Sequence, residues 1–261
     1  MQLTYSSWPQ IEAYLKRCQG IVIPLGSTEQ HGPTGFIGTD AICAESIAQL
    51  AAQDNESLLV APTIAYTPAQ FNLGFPGSVS VRGQTLIQLL DDIISSLMQG
   101  GFRYFYFLNG HGANIAPVRT LVHDIYQRLS TGKKYEQSVD FRIRSWWDFE
   151  AVNELRQSLY GDREGMHATP SEIAITLARK QTPGTDTTVS YSAISKEFLQ
   201  QHAGDQHLDA SRHRDQFPDG CVGSDPTLAN QRDGKKLLHI AANCLQDDYL
   251  KFVGPGNQTE A

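Results

Sequence analysis

The sequence predicts an α/β protein: a parallel sheet with helices on both faces. Short β-branched or aromatic runs alternate with segments of helical period throughout the chain, and such alternation gives parallel sheets. Glycine-rich breaks follow the runs, and the unusual polar residues gather in those breaks. The chain has 261 residues, 40% of them hydrophobic and 19% charged, which excludes global disorder.

The elements follow in order. Residues 21–25, Ile-Val-Ile-Pro-Leu closed by Gly26, read as a buried strand. Residues 39–53 carry Ile42, Ala44, Ile47, Ala48 and Ala51 at spacings of three and four and read as a helix. Residues 58–61 before Pro62 are a second strand candidate. Residues 85–99 repeat Leu86, Leu89, Leu90, Ile93, Ile94 and Leu97, and Gly100-Gly101 ends this helix. Residues 102–108 form an aromatic strand broken by Asn109-Gly110-His111-Gly112, and residues 117–129 a further helix. Residues 141–147 alternate as a strand. Residues 170–179 form a helix with proline and acid at its start and Lys/Arg at its end, matching the helix dipole. Residues 181–225 are polar and read mostly as loop, and the stretch 225–249 closes with a helix. With no repeat and no long linker, residues 1–261 are expected to form one domain.

Several classes are disfavoured. The 21 basic and 28 acidic residues leave a charge of -7, where a nucleic-acid protein would show a basic stripe. No run of about 20 apolar residues spans a membrane, and residues 1–10 lack the pattern of a secretory signal. Cys18, Cys43, Cys221 and Cys244 form no C-x-x-C pair and read as reduced thiols of a cytoplasmic protein.

In parallel α/β sheets, sites collect at the carboxyl ends of strands. After the first strand stand Glu29 and His31, two apart, and then Asp40 at the start of a helix; after the aromatic strand stands His111 between glycines. Imidazoles mixed with oxygen donors suit Zn²⁺, Mn²⁺ or Fe²⁺. An aspartate can bridge two ions, and a two-metal site can activate water. On spacing alone, Asp40 equally suits an N-cap and each histidine a loop residue satisfied by backbone. His202, His207 and His213, with Asp205, Asp209 and Asp215, read as a solvated or interface loop.

The run Pro24-Leu25-Gly26-Ser27-Thr28-Glu29-Gln30-His31-Gly32-Pro33, continued by Gly38-Thr39-Asp40, resembles the signature of the creatininase (creatinine amidohydrolase) family. So do Asn109-Gly110-His111-Gly112-Ala113-Asn114, Phe75-Pro76-Gly77-Ser78-Val79-Ser80, Met166-His167-Ala168 with Glu172, and Gly223-Ser224-Asp225-Pro226-Thr227-Leu228-Ala229. The resemblance implies a three-layer α/β/α sandwich and a dinuclear centre. Glu29, His31, Asp40 and His111 would be the ligands, with Asp40 the bridge. It places His167 in proton transfer, Glu164 at an acidic catalytic position and Trp147 at a substrate-stacking position. It also implies closed homo-oligomers, often hexamers.

Three positions depart from creatininase. Ala113 stands where it has a ligand glutamate, and Glu172 is inferred to supply that carboxylate, although a first-turn acid also suits the helix dipole. Arg163 stands where creatininase encloses its substrate with tryptophan, and Phe75 where many relatives have histidine. The expected activity is metal-dependent hydrolysis of a small-molecule amide, cyclic amide or formamide. Asn114 either orients substrate or fixes its loop. A metal-stabilised binding protein and a two-metal phosphoesterase remain alternatives, the latter with Arg163 or Arg82 as the candidate phosphate contact.

Overall fold

Strand β1 (Gly20–Leu25) is buried along its whole length. Its core, Ile21-Val22-Ile23, suits a strand covered on both faces. It pairs in parallel with β2 (Tyr104–Asn109), which pairs in parallel with β3 (Asp140–Ser145), in the order β1-β2-β3. The register aligns Leu25 with Asn109 and Asn109 with Ser145. The three strands therefore end level, and the loops leaving them share one edge. The computed structural model describes residues 1–131, 138–179, 191–195, 197–198 and 208–254.

The segment expected as a strand at 58–61 lies beside β1 but forms only isolated bridges: Val60 to Val22 and to Gln2, and, further on, Ile64 to Leu25. Ala61 N–H donates to Val22 O (2.8 Å) and Ile64 N–H to Pro24 O (3.0 Å). Pro62 lacks an N–H, so no continuous ladder forms.

Helix α1 (Trp8–Leu15) precedes β1, and its sequence signal is a capping box in which Gln10 Oε1 accepts from Ser7 N–H at 2.7 Å. Helices α2 (Thr39–Ala51), α3 (Gly83–Gln99) and α4 (Ile115–Thr131) match the expected periodic segments, with α4 longer at both ends. The strand expected through Trp147 stops at Ser145, because Trp146–Asp148 turns into a 3₁₀ segment closed by a Ser145–Asp148 capping box. Then come α5 (Glu150–Tyr160), which the sequence reading did not single out, and α6 (Pro170–Arg179). Helix α7 (Ala210–Gln216) lies in the stretch read as loop, where Asp209 caps Ser211 N–H and Arg212 N–H. Helix α8 (Gln231–Val253) begins later than expected, because Pro226–Leu228 is a separate 3₁₀ turn and Asn230 is the N-cap.

Helices α2, α5 and α6 pack with α8 over one side of the sheet, and α3 packs with α4, which meets β3. This is the expected α/β/α sandwich. Ile21, Val22, Leu25, Phe105, Phe107, Ile47, Leu90 and Leu245 are all at zero exposure within one cluster. All four cysteines are free thiols. Among the described residues no helix is long and apolar enough to cross a membrane.

Candidate metal centre

Three elements deliver the donors. The loop after β1 carries Glu29 and His31, and the loop after β2 carries His111. The second residue of α2 is Asp40; the N-cap is Gly38, so Asp40 is free of the capping role. Glycine at 26 and 110 permits this convergence. A Cβ on Gly26 would lie 2.3 Å from Ala41 N, and one on Gly110 2.5 Å from Asp40 O. The start of α2 thus seats directly on the ends of both strands.

Glu29 and His31 are fully buried, and Asp40, His111 and Glu172 nearly so. Asp40 Oδ1 lies 2.9 Å from His31 Nε2, and Asp40 Oδ2 lies 3.1 Å from His111 Nδ1. Glu29 Oε1 is 3.0 Å from His111 Nδ1, and Glu172 Oε1 is 3.9 Å from His31 Nε2. Two of the groups with metal-ligating reach are Glu29–Asp40–His111 and His31–Asp40–Glu172, and Asp40 belongs to both with a different oxygen nearest each histidine. Donors sharing an ion at about 2.0–2.1 Å sit roughly 3–3.5 Å apart in tetrahedral geometry, close to these separations.

The outer nitrogens of the imidazoles fix their tautomers. His31 Nδ1–H donates to Glu29 O (3.0 Å) and His111 Nε2–H to Pro68 O (2.8 Å). His167 Nε2–H donates to Gln30 O (2.7 Å). These partners assign each proton outward. Each inner nitrogen then presents a lone pair to carboxylate oxygens, a repulsive arrangement unless a proton or a cation lies between. Glu29 Oε1 accordingly has no hydrogen-bond partner among the described residues, although His111 Nδ1 is close. Five buried donors, one of them an oxygen left open, fit divalent metal.

The electrostatics agree. Burial opposes charge on His31, yet Asp40 and Glu172 outweigh it and raise its pKa to about 10. Burial likewise opposes charge on His111, and Glu29 and Asp40 push it well above the usual histidine value. Asp40 is held well below the usual carboxylate range: burial acts against this, but His31 and His111 prevail. Burial raises Glu172 to about 7, against the pull of His31. Burial and the neighbouring His31 lower His167 to about 4.

His167 reaches the cluster from another direction. Its Nδ1 lies 3.8 Å from Glu29 Oε1, and with Glu29 and His31 it forms a third group of metal-ligating reach. Residues 165–168 are held by the late loop, with Met166 N–H donating to Val222 O (2.8 Å) and Val222 N–H to His167 O (3.2 Å). Ala168 takes a left-handed φ of 55° beside it, a conformation non-glycine residues adopt only where surroundings fix it.

Glu172 does two things at once. Thr169 N–H donates to its Oε1 at 2.6 Å and Glu172 N–H to Thr169 Oγ1 at 3.3 Å, a reciprocal capping box on α6. The same Oε1 faces His31. Glu164 is buried, but it is engaged by Arg156 Nε at 2.8 Å and by the Ser171 hydroxyl, and it belongs to none of the three donor groups. Arg163 pairs with Asp225 at 3.0 Å and lies over the Tyr191 ring. Trp147 packs edge-on against buried Trp146, ring centres 5.7 Å apart. Asn114 donates to Gly26 O (3.0 Å) and Asn109 Oδ1 (3.2 Å), tying the end of β2 to the end of β1. His202, Asp205 and His207 lie outside the described residues; His213 is buried, edge-on to Phe71 at 5.4 Å.

Sequence reasoning missed the groups that hold the ligands. Ser27 Oγ donates to Asp40 Oδ2 (2.7 Å), and Asn72 Nδ2 to Glu29 Oε2 (2.8 Å). Gln30 Nε2 donates to Asn72 Oδ1 (2.8 Å) and to Gly220 O (3.0 Å). Ser27 and Gln30 lie inside the first motif, where a signal existed; Asn72 had none.

A cavity of about 200 Å³ opens on the cluster, with His111 and His167 in its wall. Trp147, Asn114 and Arg163 are not among its lining residues. A larger groove of about 850 Å³, between Met1 and Arg179, holds none of the donors and is remote from this chemistry.

The family model described as Creatininase: Creatinine amidohydrolase matches residues 4–247. A 3-dehydro-scyllo-inosose hydrolase of Thermotoga maritima is 36% identical over 104 residues, 40% of this chain and 33% of the relative. A mycofactocin precursor peptide peptidase of Mycolicibacterium smegmatis is 36% identical over 107 residues, 39% of this chain and 43% of the relative. The matched chain thus spans under half the length of these curated relatives. Among solved structures, a manganese creatininase superposes with a TM-score of 0.75 at 22% identity, covering 97% of this chain and 99% of the other. At that identity the likeness shows the fold.

Proposed function

The chain belongs to the creatininase family, and from that premise we propose that it is a metal-dependent hydrolase of a small-molecule amide, cyclic amide or formamide C–N bond. The observation that carries this reading is Asp40, whose two oxygens face His31 and His111 separately at 2.9 and 3.1 Å. Glu29, Asp40 and His111 would hold one divalent ion, and His31, Asp40 and Glu172 a second, with manganese, zinc and iron all suited to the donor set. Such ions supply Lewis acidity and lower the pKa of coordinated water toward about 7.

The chain's own groups do the rest. His167 is neutral, with Nε2–H fixed on Gln30 O. Its Nδ1 lone pair is free to take a proton and return it to the leaving nitrogen, a transfer worth roughly 10²–10⁴-fold. Glu164 and Ser171 stiffen the entry to α6 rather than meet substrate. Arg163, bound to Asp225, is drawn into the loop that holds His167, and no lysine or arginine is among the described residues that line the cavity; this favours an amide over a phosphoester. The reading extends to a cytoplasmic protein, on its four free cysteines, and to a homo-oligomer, on the family resemblance.

The test is metal analysis with an amide, formamide, short-peptide and phosphoester screen. Two ions per chain and turnover of an amide are expected. Glu172→Gln keeps an oxygen for the capping box, so it should retain stability while losing about one ion. His167→Ala should keep both ions and lose roughly 10²–10⁴-fold in turnover. Metal loss in that variant would make His167 a ligand instead of a proton carrier. Two ions with no turnover of any substrate would favour a binding protein.

A further inference from the structure

The cavity beside the cluster has a definite chemistry. Phe71, Met166, Leu208, Phe217 and Val222 form its walls, and among the described residues no carboxylate, lysine or arginine lines it. Ala113 also lines it and contributes a single methyl. The carboxylate nearest His31 after Asp40 comes from Glu172 on α6, which is not among the lining residues. Among the described residues the polar donors thus meet the cavity through the histidines, and the rest of the described wall is uncharged.

The aromatic walls are fixed by their neighbours. Phe71 stacks on His111 at 6.2 Å and meets His213 edge-on at 5.4 Å. Phe217 packs against His213 at 5.2 Å and edge-on against Phe198 at 5.5 Å. Rings held this way favour a flat apolar guest through edge and stacking contacts. A dry apolar cavity of about 150 Å³ admits benzene, so about 200 Å³ admits a ring of that size with a short linker.

Resting on the hydrolase reading above, we infer that the substrate carries an uncharged aromatic or branched aliphatic group beside the scissile amide, seated against the apolar wall that includes Phe71 and Phe217. A charged or strongly hydrated substituent would enter at the cost of its hydration, with no counter-charge among the described wall residues.

Two measurements separate this inference from the metal reading. In the first, the full chain, both as purified with its metal and after chelation, is titrated with benzamide, 3-methylbutanamide, acetamide and 4-carboxybenzamide by ligand-observed NMR. Benzamide and 3-methylbutanamide are expected to bind about tenfold to a hundredfold more tightly than acetamide, as burial of such a group implies. The charged analogue is expected to bind no better than acetamide. Phe217→Ala should reduce the benzamide advantage over acetamide to under about threefold while leaving metal content unchanged. Equal binding of benzamide and acetamide, tighter binding of the carboxylated analogue, or an undiminished preference in Phe217→Ala would overturn the inference. In the second, benzohydroxamate and acetohydroxamate, which can chelate metal, are compared with the amides on metal-loaded protein. A hydroxamate gain without apolar preference defeats the pocket alone. An apolar preference without hydroxamate gain defeats the metal centre alone.

Discussion

Asn72 shows how one residue sets the candidate centre. It is fully buried and gives its amide N–H to Glu29 Oε2, while its carbonyl accepts from Gln30. Glu29 therefore spends one oxygen on the scaffold and turns the other to His111. Removing such an outer partner typically costs 10–100-fold in metal affinity. Asn72→Ala is expected to weaken metal binding by about that factor in competition with a chelating dye, with little change in the far-UV spectrum. Unchanged affinity would show that Glu29 is held by its surroundings alone. The candidate donors Glu29, His31 and His111 were legible in the sequence because each follows a strand in a glycine-marked loop, and Asp40 because it stands at the start of the helix after Gly38. Asn72 was not, because its partner is 43 residues away and no period or cap links them.

At the scale of elements, the packing of α6 on α8 fixes where Glu172 lies. Gly234 lets the two helices touch: a Cβ there would stand 1.8 Å from Ala174 O and 2.3 Å from its carbonyl carbon. Helix propensity alone says that Gly234→Ala stabilises α8 by about 1 kcal/mol. The contact says the opposite, since backbone cannot yield as a side-chain tip can, and overpacking costs about 1–3 kcal/mol. Chemical denaturation should show net destabilisation; a gain in stability would mean that α8 shifts freely. Helices α2 and α3 were readable from apolar residues spaced three and four apart, and α6 from the proline and acid at its start and the bases at its end. Residues 58–61 read as a strand on composition, but Pro62 denied them a ladder. Helix α5, with only Val152 and Tyr160 buried, offered too sparse a stripe to be singled out.

For the whole molecule, the buried cluster links stability to pH and to metal. His31 has a raised folded value, so its charge stabilises the metal-free protein fully below the ordinary 6.5 and fades as pH rises toward about 10. Glu172 acts the same way, contributing below 4.5 and losing its contribution as pH rises through about 7. His167 acts in the other direction: its lowered value favours the neutral ring, a contribution lost as pH falls from 6.5 through about 4. Chelated protein should therefore melt at progressively lower temperature as pH rises above about 6.5. Metal replaces the protons, so the stabilisation by added Mn²⁺ should grow over the same range. A metal-induced shift in melting temperature that is constant from pH 6 to 9 would contradict this linkage.

The sequence by itself determined the alternation of strands and helices and the family, and it marked four candidate donors after strands and at the start of α2, because period, glycine breaks and short motifs act over a few residues. Only the tertiary structure decided that Glu172 faces His31 while capping its own helix, that Glu164 is engaged by Arg156, and that the described cavity wall is apolar apart from its histidines. The meeting of Glu172 with His31 and the make-up of the cavity depend on residues far apart in the chain, and the Glu164–Arg156 pair, eight residues apart, on how the chain turns back after α5; packing alone specifies these.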